Sequence, residues 1–265
     1  MEASCKEKDE KITAKWQDLT IMKKFNQFPK VRKPLPAEFQ LIYEKEYLIN
    51  RCGKSLVNRI GLYLEGWMHK LIASSSRIKD EDILEIGAGT LNHIPWEKQY
   101  ATYDVVEPSR LLIETSDRIS AIRKVYQSIA DIDGAQMYDR ILSIAVLEHL
   151  EDLPLDLAQA ALLLRQGGIF CAGVPSEGSI LWYIAWRFGT GVSFKLRTGL
   201  DYSIVMKYEH LNNWFEIEEA VNWFFRDIEI IRVPVSCFHL SLYTIVLAQG
   251  VIRERCVDYI DSKLE

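Results

Sequence analysis

Between residues 82 and 251 short β-rich runs alternate with helical stretches, and no other feature of the chain constrains its fold as strongly. The runs "DILEI", "TYDVVE", "KVYQS", "DRILSI" and "GGIFCAGV" are interleaved with helix-like segments near 110–120 and 154–164. Parallel strands need a crossover between them, and a helix is the usual crossover. The alternation therefore predicts βαβ units and a parallel sheet covered on both faces. A helix around 217–225 and two further strands, "IEIIRVPV" and "LSLYTIVLAQ", close the chain. In such a sheet ligands bind at the carboxyl ends of the strands, so the turns leaving the strands are where function is expected.

The first of these turns is "DILEIGAGTLNH". Gly87-Ala88-Gly89 carries no side chain at its two glycines, so a ligand can approach the backbone closely. The third glycine of a dinucleotide fingerprint would fall at Asn92, and Pro95 follows at once. Little room remains for the helix whose N-terminus would hold a pyrophosphate, which disfavours a nicotinamide or flavin dinucleotide. The second strand ends "VVEPS", which puts Glu107 eighteen residues after Gly89. A carboxylate at that place suits the two hydroxyls of a ribose.

Four stretches, "ILEIGAG", "YDVVEPS", "YQSIADI" and "YDRILSIAVLEHLEDLP", followed by "GGIFCAGVP", resemble the class I S-adenosylmethionine-dependent methyltransferases of the small-molecule branch over about residues 82–174. The "YDRILSIAVLEHLED" stretch is the most diagnostic. The resemblance implies a Rossmann-like α/β sheet with helices on both faces, and S-adenosylmethionine as cofactor. It also implies roles for particular residues. Glu85 would orient the glycine loop and help hold the cofactor's amino group. Gly87, Ala88 and Gly89 would lie against its methionine and ribose parts, and Glu107 would bind the ribose hydroxyls. Pro108 and Ile129 would pack on the adenine, with Ser128 near its amino edge, although many relatives carry an acid at the Ser128 position. Ala145 would line the methionine moiety.

Around this centre the chain divides. Residues 1–36 are polar and Lys-rich, with Pro29, Pro34 and Pro36, and read as a loosely ordered arm. Residues 37–80 hold two amphipathic helical patterns and read as an N-terminal cap, in which Trp67 and His69 are candidates to close one side of the site. Residues 81–265 read as the methyltransferase domain that the resemblance implies. Within it, residues 176–212 have no clean period and are too long for a simple connection, so they read as a lid or substrate-binding insertion.

Composition excludes several classes. A net charge of -5 lacks the basic excess that phosphate-backbone binding supplies, so no nucleic-acid partner is expected. The five cysteines, never in CxxC spacing, fit neither a zinc cage nor a disulfide framework. A charged N-terminus and the lack of a long apolar run predict a cytoplasmic chain without membrane insertion. No metal is expected, since the five histidines show no HxxxH spacing and no histidine–carboxylate cluster.

For the acceptor end the candidates are His149, in "VLEHLED" beyond the fourth strand, and His210, in "KYEHLNNW" where the chain returns from the insertion. A neutral imidazole is available near pH 7 to take a proton. Arg187, Lys195 and Arg197 stand among Trp182, Tyr183, Trp186 and Phe194, with no acid from Trp182 to Leu200, which suggests an anionic acceptor. The insertion and "EHLNN" also resemble methyltransferases of bacterial surface-polysaccharide pathways, implying a sugar, nucleotide-sugar or sugar-linked phosphoryl acceptor and O-methylation. Alternatives are N- or O-methylation of a natural product or lipid-like molecule, a non-catalytic binding protein on the same fold, and a nicotinamide oxidoreductase.

Overall fold

The computed structural model describes residues 23–40, 42 and 56–264. Most of the first cap helix expected from residue 37 onward lies outside these residues. The second is present as α1, Leu56–Ala73.

Seven strands form one sheet: β1 (Asp82–Ile86), β2 (Thr102–Val106), β3 (Lys124–Tyr126), β4 (Tyr138–Ile144), β5 (Leu164–Pro175), β6 (Phe225–Pro234) and β7 (Ser241–Val251). Their order is β3-β2-β1-β4-β5-β7-β6. The first five pair in parallel, and β7 runs antiparallel to both β5 and β6. The order reverses between β1 and β4, and a crevice opens at such a switch point where the chain leaves neighbouring strands in opposite directions. The alternation in the sequence and the sheet agree, because both faces are covered and the strands read as continuous apolar runs.

On one face, α3 after β4 (Leu153–Leu162), α7 (Trp214–Phe224) and α8 (Arg253–Leu264) pack together. The start of α7 is fixed by a reciprocal cap: Asn213 Oδ1 accepts from Phe215 N and Glu216 N, while Glu216 Oε2 accepts from Asn213 N. Trp214, Ile217, Val221 and Phe224 then recur at helical spacing on its buried side. On the other face α1 lies directly on β5. Gly173 makes that approach possible, since a Cβ there would stand 2.6 Å from the sulfur of Met68.

Three features depart from the sequence reading. The helix expected over 110–120 is cut to α2, Arg110–Glu114, which ends at Thr115, whose Oγ1 donates back to the carbonyls of Leu111 and Leu112. Helix α8 was not foreseen; only Cys256 and Tyr259 of it are buried, too few for a visible apolar stripe. Residues 23–36 are not a loose arm. Phe25 and Phe28 sink into the main core beside Phe224 and Tyr259, and Lys30 Nζ reaches Glu216 and the Leu211 carbonyl. Proline content hid two aromatic anchors.

The insertion is helical, with α4 (Ile180–Ala185), a π-turn at Trp186–Thr190, α5 (Gly191–Thr198) and α6 (Tyr202–Glu209). Phe194 and Val205 close it onto Leu35 and Phe39 of the N-terminal segment. Among the described residues no helix is long and apolar enough to cross a membrane.

Candidate functional site

The cavity of about 830 Å³ at the carboxyl edge of β1 to β4 draws one wall from each turn that leaves these strands. From β1 come Gly87 and Gly89, both at positive φ (71° and 54°). The first could hardly be another residue: a Cβ would meet Val146 Cγ2 at 2.3 Å. In place of a long helix the chain makes one 3₁₀ turn, Ile94–Trp96, as Pro95 led us to expect.

Glu107 follows β2 and is 6% exposed. Gly89 N donates to its Oε2 at 2.8 Å and Ser109 N to its Oε1 at 2.9 Å. Two backbone donors thus hold the carboxylate on the cavity wall, and each oxygen keeps a further lone pair. A pair of vicinal hydroxyls matches that acceptor pair, and Pro108 and Ile129 supply apolar surface on either side. These residues fit an adenosine-type cofactor. Ser128 also lines the cavity, where its hydroxyl accepts from Ala130 N to cap the turn after β3. Ala145 completes the wall after β4 with φ of 54°, a strained conformation for a residue with a Cβ.

Two residues assigned to the cofactor stand elsewhere. Ala88 is buried behind the glycine turn, and Glu85 is buried without reaching the cavity. Tyr103 OH donates to Glu85 Oε2 at 2.8 Å. Burial first, then the neighbouring charges of Glu97 and Glu107, push the Glu85 carboxyl up to about 8 against the pull of the Tyr103 hydrogen bond. Glu85 is therefore protonated at neutral pH and held by Tyr103. His69, read as closing the site, instead faces His93 at 3.0 Å in a buried network that continues through Glu97 to Arg140.

Where the acceptor is expected, the structure brings together residues distant in sequence. His149 lines the cavity and His210 lies behind it, with ring centroids 5.0 Å apart at 85°. The turn 147–150 and the segment 209–212 are stitched together, since Leu211 N and Asn212 N donate to the Glu148 carbonyl and Asn212 Nδ2 to the Leu147 and Leu150 carbonyls. His149 Nδ1 meets the Glu209 carbonyl at 2.8 Å, and His210 Nδ1 meets Glu177 Oε2 at 3.0 Å. Burial disfavours the charged form of His210, but the Glu177 hydrogen bond and the charges of Glu148, Glu177 and Glu209 together hold its pKa above the ordinary imidazole value. The expectation of no histidine–carboxylate cluster is thus corrected: Glu148, His149 and His210 form one. Sixty-odd residues separate His210 from Glu148 and His149, so no short spacing revealed the cluster.

Two cavity residues had no sequence signal. Arg32 comes from the N-terminal segment and donates to the Tyr208 and His149 carbonyls, each at 2.8 Å. Asp156, in the first turn of α3, has its carboxyl pushed up to about 7 by burial and by Asp152. Conversely, Arg187, Lys195 and Arg197 are exposed on the insertion and do not line the cavity. Asp201 stands close enough to Arg187 and Lys195 that, after the hydrogen bonds from Ser203, their charges help lower its pKa.

Residues 59–226 match the profile of a family described as a methyltransferase domain. No curated protein sequence matches the chain. Among solved structures, the plantazolicin methyltransferase BpumL in complex with SAH is similar at a TM-score of 0.58 and 14% identity, over 87% of this chain and 99% of that one. The magnesium protoporphyrin IX methyltransferase ChlM of Synechocystis PCC 6803 with bound SAH gives 0.51 and 12%, over 74% and 88%. The N-methyltransferase NodS of Bradyrhizobium japonicum WM9, in complex with S-adenosyl-L-homocysteine, gives 0.50 and 14%, over 76% and 90%. At such identities these three establish a shared fold.

Proposed function

We propose, from the premise that this chain belongs to the methyltransferase-domain family, that it uses S-adenosylmethionine to methylate a hydroxyl of a small polar molecule. The observation that carries this reading is the cavity itself. Its cofactor end, Gly87, Gly89 and Glu107, and its acceptor end, His149 beside His210, meet in one space at the switch point of the sheet. Three structurally similar proteins with SAH support the choice of cofactor.

Bound there, S-adenosylmethionine would supply a methyl already activated on a sulfonium, ready for transfer to an acceptor oxygen. What the chain adds is placement and a means of activating the hydroxyl. Glu107 would hold the ribose hydroxyls, and Ala145 would line the methionine part. His149, on the cavity wall, would face the acceptor oxygen and assist the loss of its proton, with His210 in ring contact behind it. Because Arg187, Lys195 and Arg197 face solvent, selection by charge would fall to Arg32, whose guanidinium is already engaged with two carbonyls. We therefore favour a sugar-like polyol as the acceptor, chosen by its hydroxyls rather than by a phosphate or carboxylate.

The test is turnover of S-adenosylmethionine across a panel of sugars, nucleotide sugars and amines, with product identified by mass. Methyl ethers of sugars are the expected product. Methylated amines alone would overturn the hydroxyl assignment, and failure of calorimetry to detect S-adenosylhomocysteine binding would overturn the cofactor.

A further inference from the structure

We infer that Glu148, His149 and His210 form a binding site for a divalent transition-metal cation beside the cofactor cavity. Each residue offers one ligand atom, and the three atoms lie within 4.8 Å of one another. A cation held about 2.1 Å from each donor places donors roughly 3 to 4 Å apart, so the set stands slightly open around a space of the right size.

The hydrogen bonds decide which atoms face that space. A backbone carbonyl only accepts, so the His149 Nδ1 that meets the Glu209 carbonyl at 2.8 Å carries the proton, and Nε2 presents its lone pair. His210 is held in the same sense by Glu177 Oε2, 3.0 Å from its Nδ1. Imidazoles that donate Nδ1–H to a carbonyl or carboxylate while turning Nε2 inward are oriented as metal-bound histidines are. His149 Nε2 lies 3.9 Å from Glu148 Oε1.

Glu148 supplies a second, independent observation. Its side chain is 3% exposed, and its Oε2 has no hydrogen-bond partner. A buried carboxylate oxygen without a partner is costly, and a cation coordinated there removes that cost. The surroundings favour positive charge as well, because Glu177 and Glu209 stand against the two imidazoles. The site is also rigid: four hydrogen bonds join 147–150 to 211–212, and Arg32 clamps the carbonyls of His149 and Tyr208.

Two nitrogens and one carboxylate oxygen suit manganese, iron, cobalt or zinc better than magnesium or calcium, which prefer oxygen alone. Three protein ligands leave positions open, and His149 lies on the cavity wall. An acceptor hydroxyl taking an open position is acidified by the cation and releases its proton to solvent. The histidines then act as ligands. This role for the cation rests on the hydroxyl reading above, whereas cation binding does not.

The experiment is calorimetry of chelator-stripped protein with manganese(II), zinc(II) and magnesium(II) chlorides, with S-adenosylhomocysteine binding as the check that each variant is folded. We expect one manganese or zinc per chain, with magnesium far weaker. His210→Ala and Glu148→Gln should each weaken binding at least tenfold, and Glu177→Gln, which only positions His210, should weaken it about tenfold. Pulsed electron paramagnetic resonance on the manganese-loaded wild type should show coupled imidazole nitrogen. Absence of binding, absence of imidazole coupling, or unchanged affinity in variants that still bind S-adenosylhomocysteine would each overturn the site. Undiminished sugar methylation by fully stripped protein would overturn the catalytic role of the cation while sustaining the hydroxyl reading. Cation binding by a protein that methylates only amines would do the reverse.

Discussion

Glu85 and Glu107 are both buried glutamates at the ends of adjacent strands, yet their surroundings give them opposite chemistry. Glu107 receives two backbone amides, and Glu85 receives one phenol inside an apolar layer. Replacing Glu107 by Ala should remove a charge-assisted contact of about 1.5 to 3 kcal/mol, lowering affinity for S-adenosylmethionine roughly tenfold to a hundredfold in calorimetry. Unchanged affinity would remove Glu107 from the site. Glu85 governs a pH effect. The folded chain keeps its proton up to about pH 8, whereas an ordinary glutamate releases it near 4.5. The folded state therefore binds more protons between those values, and its stability should fall as pH rises from about 4.5 to 8. Glu85→Gln retains an acceptor for Tyr103 and should flatten that decline, seen in urea midpoints at pH 5 and pH 9. An identical slope in the variant would refute the assignment. The spacing from Gly89 made Glu107 legible in the sequence. Nothing comparable told where the Glu85 side chain points, because both faces of β1 are buried.

At the scale of elements, period marked the succession of strands along the chain, and turn chemistry marked the glycine turn and Glu107 that line one cavity, since glycines and strand ends are local signals. The acceptor half depends on contacts across long separations, which local pattern does not record. The insertion illustrates the loss. Arg187, Lys195 and Arg197 read as a cluster along the chain, but the helices turn them to solvent. Arg32, which does reach the cavity, sits in a proline-rich stretch that offered no period. It bonds to carbonyls of two different segments, so Arg32→Ala should loosen both. We expect faster amide exchange over 208–212 and a lower kcat with cofactor affinity little changed. Exchange rates equal to wild type would show that the stitching of 147–150 to 211–212 suffices without the clamp.

For the whole molecule, the core was legible as an α/β layering, while its reach to residue 25 was not, because two phenylalanines among lysines make no pattern. Phe25 stacks on Phe224 at 6.2 Å between centroids and is 3% exposed. Phe25→Ala should cost about 3 kcal/mol or more in denaturant unfolding. A loss below about 1 kcal/mol would show that this segment packs on a domain complete without it. The Arg32 clamp also bears on how the protein is made. Its partners His149 and Tyr208 lie 117 and 176 residues downstream. On the ribosome β1 to β4 are complete before the segment 208–212 has been synthesised. A nascent chain halted near residue 200 would hold Arg32 and His149 but neither Tyr208 nor His210, so the clamp between the two segments closes last.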